Sequence, residues 1–150
     1  MLMLRRYFRA FRGALQMTLQ GKPYTAPTTP SSPLAAWISQ YAILVDNVLR
    51  AANLNGVDQA TRKNVKLRLD GRQMNLETAL MTLKFHAVEE YPSLVRAGTG
   101  RGVQATLYAT NLNDRYWISR MVEAPELQKP DVQKALSALD AHLDAIPKLD

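Results

Sequence analysis

Apolar residues recur at helical spacing along most of this chain. In the opening stretch, residues 1–20, Leu4, Phe8, Phe11 and Leu15 fall at i, i+4, i+7 and i+11, which places them on one side of a helix. Met3, Tyr7, Ala10 and Ala14 lie beside them. Arg5, Arg9, Arg12 and Gln16 form the next stripe, with Arg6 and Gly13 further round. The pattern predicts a basic amphipathic helix. Residues 21–33 interrupt it with Pro23, Pro27, Pro30 and Pro33 among small polar residues. Proline at this density prevents helix and favours an extended, semi-rigid linker.

From Leu34 the helical repeat resumes. Leu34, Trp37, Ile38, Tyr41, Leu44, Val45, Val48 and Leu49 predict a helix to about Asn53, with Asn55-Gly56 as its stop. Asp58 is placed to cap a shorter helix running to about Leu69, ended by Asp70-Gly71. Asn75 caps the next, and Glu77 in its first turn complements the dipole. Leu76, Leu80, Leu83, Ala87 and Tyr91 line its face, and Pro92 ends or kinks it. A glycine-rich break at residues 96–102 precedes a helix from about Val103 to Val122. Pro130-Asp131 opens the last helix, with Val132, Leu136, Leu139, Leu143 and Ile146 on one side and Pro147 as its stop.

No stretch alternates convincingly enough to predict a strand, and no internal repeat occurs. The expected fold is therefore all-α: a compact bundle of about five helices over residues 34–150, preceded by the amphipathic helix and the linker. A chain of 150 residues suits one such domain and buries roughly 70% of its unfolded surface. No run of 18 or more apolar residues occurs, so no transmembrane helix is predicted. The arginines of residues 5–12 interrupt any apolar region of a secretory signal, whereas their acid-free setting has the look of a mitochondrial transit peptide if the source is eukaryotic.

Charge sharpens the division. The net charge is +6. Five basic side chains and no acidic one precede Asp46, while the remaining residues carry 14 basic and 13 acidic groups. The excess lies in the opening arm, and it points to an anionic partner, lipid or nucleic acid. In composition the arm resembles the interfacial helices that precede transmembrane segments in many membrane proteins.

Candidate chemistry is sparse. The chain has no cysteine, which excludes disulfides, thiolate zinc sites and cysteine nucleophiles. His86 with Glu89 and Glu90 has metal-like spacing, but a bundle di-metal site needs Glu-x-x-His on two helices plus two further glutamates. No metal site is predicted; local ion pairing is the better reading of His86, and His142 lies near Asp140 and Asp144 in a different setting. Arg96, Gly98, Thr99, Gly100 and Arg101 precede a helix and could hold an anion through backbone N–H groups and guanidiniums. Neither a Walker A loop nor a dinucleotide fingerprint is present. Arg62, Lys63, Lys66 and Arg68, with Arg72 nearby, could contact nucleic-acid phosphates, although no aromatic residues interleave them. Asn111, Asn113, Asp114, Arg115, Tyr116, Trp117 and Arg120 make a polar stretch in a helix that should face a core. Buried groups of this kind need partners, so an internal network is expected there, with Asp70 and Arg115 as candidate members.

No nucleophile elbow, cofactor motif or small-molecule substrate site is legible. The resulting expectation is a non-catalytic helical adaptor or complex subunit, cytoplasmic and peripheral to an anionic membrane. Leu4, Arg5, Arg6, Phe8, Arg9, Phe11, Arg12 and Leu15 would meet the membrane, and other protein subunits would meet the body. The alternative is a basic nucleic-acid-binding helical module.

Overall fold

The computed structural model describes residues 32–98 and 100–148. The amphipathic arm and nearly all of the linker therefore lie outside the described residues. Helix α1 (Pro33–Leu54) begins where Ser32 Oγ accepts the Ala35 N–H, with Pro33 in the first turn. Helix α2 (Gln59–Arg62) is a single turn capped by Asp58. A hairpin follows, with β1 (Lys66–Leu69) antiparallel to β2 (Arg72–Asn75). Helix α3 (Leu76–Phe85) is capped by Asn75 Oδ1, as its sequence predicts. It continues through a π-helical segment, His86–Glu90, into α4 (Tyr91–Ala97). Helix α5 (Arg101–Glu123), a 3-10 turn (Pro125–Leu127) and α6 (Pro130–Asp144) complete the order.

The bundle of five helices predicted from periodicity is present among the described residues, with α3 through α4 as one continuous helix. Its core joins Trp37, Tyr41, Val45 and Val48 of α1 with Leu136, Leu139 and Leu143 of α6, Leu80 and Leu83 of α3, and Ala87 of the π segment, and α1 contacts each of these elements. Trp117, Ile118 and Met121 of α5 close it.

Two expectations need correction. The helix predicted from Asp58 to Leu69 stops after Arg62, and a strand pair takes its place. Val65 and Leu67 are buried between exposed Lys66 and Arg68, a period of two. Asp70 and Gly71 have φ of +48° and +78°, the left-handed pair that a two-residue hairpin turn requires. The second correction concerns Pro92, expected to end or kink the helix: it does not end it, since α4 runs on to Ala97. Its ring crowds the carbonyl four residues back, and it has no N–H to donate. The preceding turn widens instead, with Tyr91 N–H bonded to His86 C=O, five residues back.

Candidate functional site

The most developed polar arrangement is built from every long helix. Asp114 of α5 has no exposed surface. Tyr41 of α1 donates its hydroxyl to Asp114 Oδ2 at 2.7 Å, and the Tyr91 hydroxyl stands 3.5 Å from the same oxygen. His86 Nδ1, in the widened π turn, lies 2.7 Å from Oδ1. With the carboxylate ionised, the ring N–H is the donor. Burial raises the Asp114 carboxyl above its ordinary range, while His86 and the two hydroxyls pull it down. Burial, and then the Asp114 charge, raise both tyrosines, so both remain protonated donors.

A second clamp adjoins it. Trp37 Nε1 donates to His142 C=O at 2.7 Å, and His142 Nε2 donates back to Trp37 C=O at 2.7 Å. A carbonyl only accepts, so this contact places the His142 proton on Nε2. The two rings stack at 5.0 Å with planes 9° apart, and Tyr91 meets Trp37 edge-on at 5.1 Å. Asn111 Nδ2 donates to Leu143 C=O at 2.9 Å. An internal network on this stretch of α5 is therefore present, through Asn111 and Asp114. Its expected members Asp70 and Arg115 do not belong to it: Asp70 sits in the hairpin turn, and Arg115 pairs with Asp144 at 3.1 Å on the surface. The carboxylate is closed to solvent, and His86 reaches it only through a side chain 16% exposed. The arrangement holds α1, the π segment with α4, α5 and α6 in register rather than offering a carboxylate to a substrate.

Sequence periodicity identified Trp37, Tyr41 and Tyr91 as core positions and missed their polar partners. The only signal was the polarity of α5 itself. Among the described residues no group of three His, Asp or Glu side chains could hold a metal.

The surface candidates fare unequally. Arg62 is 4% exposed and is not part of a solvated face. Its Nε donates to Glu77 at 2.6 Å, and its Nη1 to Asn53 Oδ1 and Val57 C=O. The one-turn α2 points it inward at α3, so it is unavailable to phosphate. Lys63, Lys66 and Arg68 are exposed. On β1, Lys66 and Arg68 share the outward face with Asn75 and Gln73 opposite them. Leu67 and Leu69 point the other way, where Arg72 lies 5.5 Å over the Trp117 ring.

Arg96 and Arg101 are exposed at the two ends of the α4–α5 loop; Gly98, with φ +105°, needs its glycine, and Gly100 precedes α5 without a side-chain cap. Thr99 lies outside the described residues, as do Leu4, Arg5, Arg6, Phe8, Arg9, Phe11, Arg12 and Leu15. An open cleft of about 490 Å³ between α1 and α3 is lined by Asp46, Leu49, Arg50, Arg62, Glu77, Met81 and Lys84. Its charges are largely spent internally, since Lys84 pairs with Asp46 at 3.3 Å and Arg62 with Glu77.

No family model matches the chain, and neither a curated protein nor a solved structure matches it. Among the described residues no helix is long and apolar enough to cross a membrane.

Proposed function

We propose that this protein is a peripheral membrane-associated helical adaptor, non-catalytic, attached to an anionic leaflet through residues 1–20. One observation carries the reading: charge is segregated along the chain. The arm and linker hold five basic groups and no acid. The body's 14 basic and 13 acidic groups nearly cancel, and four of its cations are paired within it, Arg62 with Glu77, Lys84 with Asp46, Arg115 with Asp144 and Arg120 with Glu123. A basic, ring-bearing segment without acidic residues, joined to a body of nearly balanced charge, fits attachment to an anionic surface.

The magnitudes suffice for reversible binding. Four arginines near an anionic leaflet contribute about 1 kcal/mol each. Leu4, Phe8, Phe11 and Leu15 add a fraction of the ~1.5–3 kcal/mol that full burial of each would give. The sum approaches the roughly 8 kcal/mol of a micromolar association, and salt weakens its electrostatic half. Exposed apolar pairs at i and i+4, Met81 with Phe85 on α3 and Leu112 with Tyr116 on α5, support the adaptor half of the reading.

The nucleic-acid alternative keeps Lys63, Lys66 and Arg68 but loses Arg62. The outward face of the hairpin carries no ring for base stacking.

Flotation on phosphatidylserine-containing vesicles tests the proposal. The full chain is expected to float and a version lacking residues 1–20 to remain behind. Equal flotation of the two, or none for either, rejects it.

A further inference from the structure

The hairpin carries a concentration of cations that the fold does not use. Lys63 closes α2, and Lys66 and Arg68 project from the outward face of β1. All three are exposed. Asp58 and Asp70 are the nearest carboxylates in sequence, yet among the described residues no carboxylate comes within 4.0 Å of these three cations. The inner face of the same ribbon is fully employed: Leu67 is buried and Arg72 lies over Trp117. The ribbon is therefore held against the bundle by one side, with its charged side presented outward on a short element.

We infer that the outward face of the hairpin, through Lys66 and Arg68 and with the exposed Lys63 just before it in the chain, is a second contact with the anionic lipid surface that the arm binds, and sets how the body sits on it. This rests on the membrane reading of the arm. The face holds Gln73 and Asn75 opposite the cations and no large apolar side chain. Its contact with headgroups is electrostatic and does not insert. Lipid is favoured over single-stranded nucleic acid because this cationic face carries no ring to stack on bases.

Reach permits both contacts at once. Helix α1, with 22 residues, is about 33 Å long and separates Ser32 from the end where Asn53 holds Arg62. A proline-rich segment of 13 residues, the length of residues 21–33, reaches at most roughly 40 Å at the ~3.1 Å per residue of an extended chain. The arm can therefore lie in the plane that the hairpin touches. Once one contact forms, the other becomes intramolecular, and avidity exceeds either alone.

The test uses the full chain on phosphatidylserine–phosphatidylcholine vesicles at physiological salt. One variant carries Lys63→Gln, Lys66→Gln and Arg68→Gln. Another carries Arg5→Gln, Arg6→Gln, Arg9→Gln and Arg12→Gln. Unchanged far-UV circular dichroism and melting establish that each is folded. The hairpin variant is expected to bind about tenfold to a hundredfold more weakly, and the arm variant to lose most of its binding. Should the triple change unfold the hairpin, Lys66→Gln and Arg68→Gln made singly are each expected to weaken binding about fivefold.

If the hairpin variant binds like the parent while the arm variant is released, the inference fails and the membrane reading of the arm stands. If the arm variant binds like the parent while the hairpin variant is released, that reading fails, and the hairpin is the attachment site by itself. Parental binding by both overturns both. A hairpin variant that loses a duplex gel shift but keeps its vesicle binding also overturns the inference, and assigns the face to nucleic acid.

Discussion

A carboxylate with no exposed surface is tolerable only while its donors stay in place. Asp114 holds two such contacts at 2.7 Å and a third at 3.5 Å, so its neighbours should not weigh equally. Tyr41→Phe is expected to lower the unfolding free energy by about 2 kcal/mol, the scale of a hydrogen bond to a charged group. Tyr91→Phe, with the long contact, should cost under about 1 kcal/mol. Asp114→Ala, which strips His86 and both hydroxyls of their acceptor, should cost about 3 kcal/mol or more. Urea denaturation of the three variants checks the order, and equal losses for the two tyrosines would contradict it.

His142 adds a pH dependence. Burial lowers the His142 imidazole below its ordinary 6.5, opposed by its bond to Trp37. A depressed group supplies stability that is present above its unfolded value and lost as pH falls through the folded one. Asp114, raised by burial, acts in the opposite sense and returns stability on acidification. Stability profiles of the parent and of His142→Asn between neutral and mildly acidic pH should separate the two. The parent should lose more on acidification below 6.5 than the variant does, and parallel profiles would exclude a His142 contribution.

At the scale of elements, the hairpin and the π segment are where local pattern and final structure part. The hairpin turns on Asp70 and Gly71, both left-handed. A Cβ at Gly71 would meet no atom within 4 Å, so the penalty of a side chain there is backbone strain alone, about 1–2 kcal/mol. Gly71→Ala should therefore lower the melting temperature by a few degrees, on the order of 3–6 °C for a body of this size. Asp70→Gly should be neutral or mildly stabilising, because it relieves the same strain at the other position. Differential scanning calorimetry decides this, and an unaffected Gly71→Ala would mean that the turn is not left-handed. The π segment admits Pro92 without breaking the helix, and the same widening carries His86 to Asp114. One local irregularity thus serves both the proline and the core network.

For the whole molecule, the described core runs from Leu34 to Leu143 and closes around Tyr41, Tyr91 and Trp117. If the arm serves a surface rather than this core, removing residues 1–20 should leave the melting temperature and the number of chains per particle in solution unchanged. A lower melting point or an altered number of chains would instead assign the arm to the body or to a second copy, and the membrane reading would lose its basis. Much of this architecture was legible in the order of residues. The 3.6-residue repeat of leucine, valine and tyrosine marks each long helix, Asp58 and Asn75 cap where short polar side chains can reach a free N–H, and the charge imbalance between arm and body is a matter of composition alone. These are local properties, fixed within one or two turns of chain. The third dimension decided the rest. Tyr41 and Asp114 lie 73 residues apart, and Trp37 and His142 lie 105 apart, and no periodicity links such positions. Arg62 turned inward because Glu77 faces it across another helix. Four-residue strands are too short to announce a period, and they persist because Leu67 finds a buried place beside α5. Spacing along a chain records which face a residue takes, whereas the partner across that face exists only once the helices have packed.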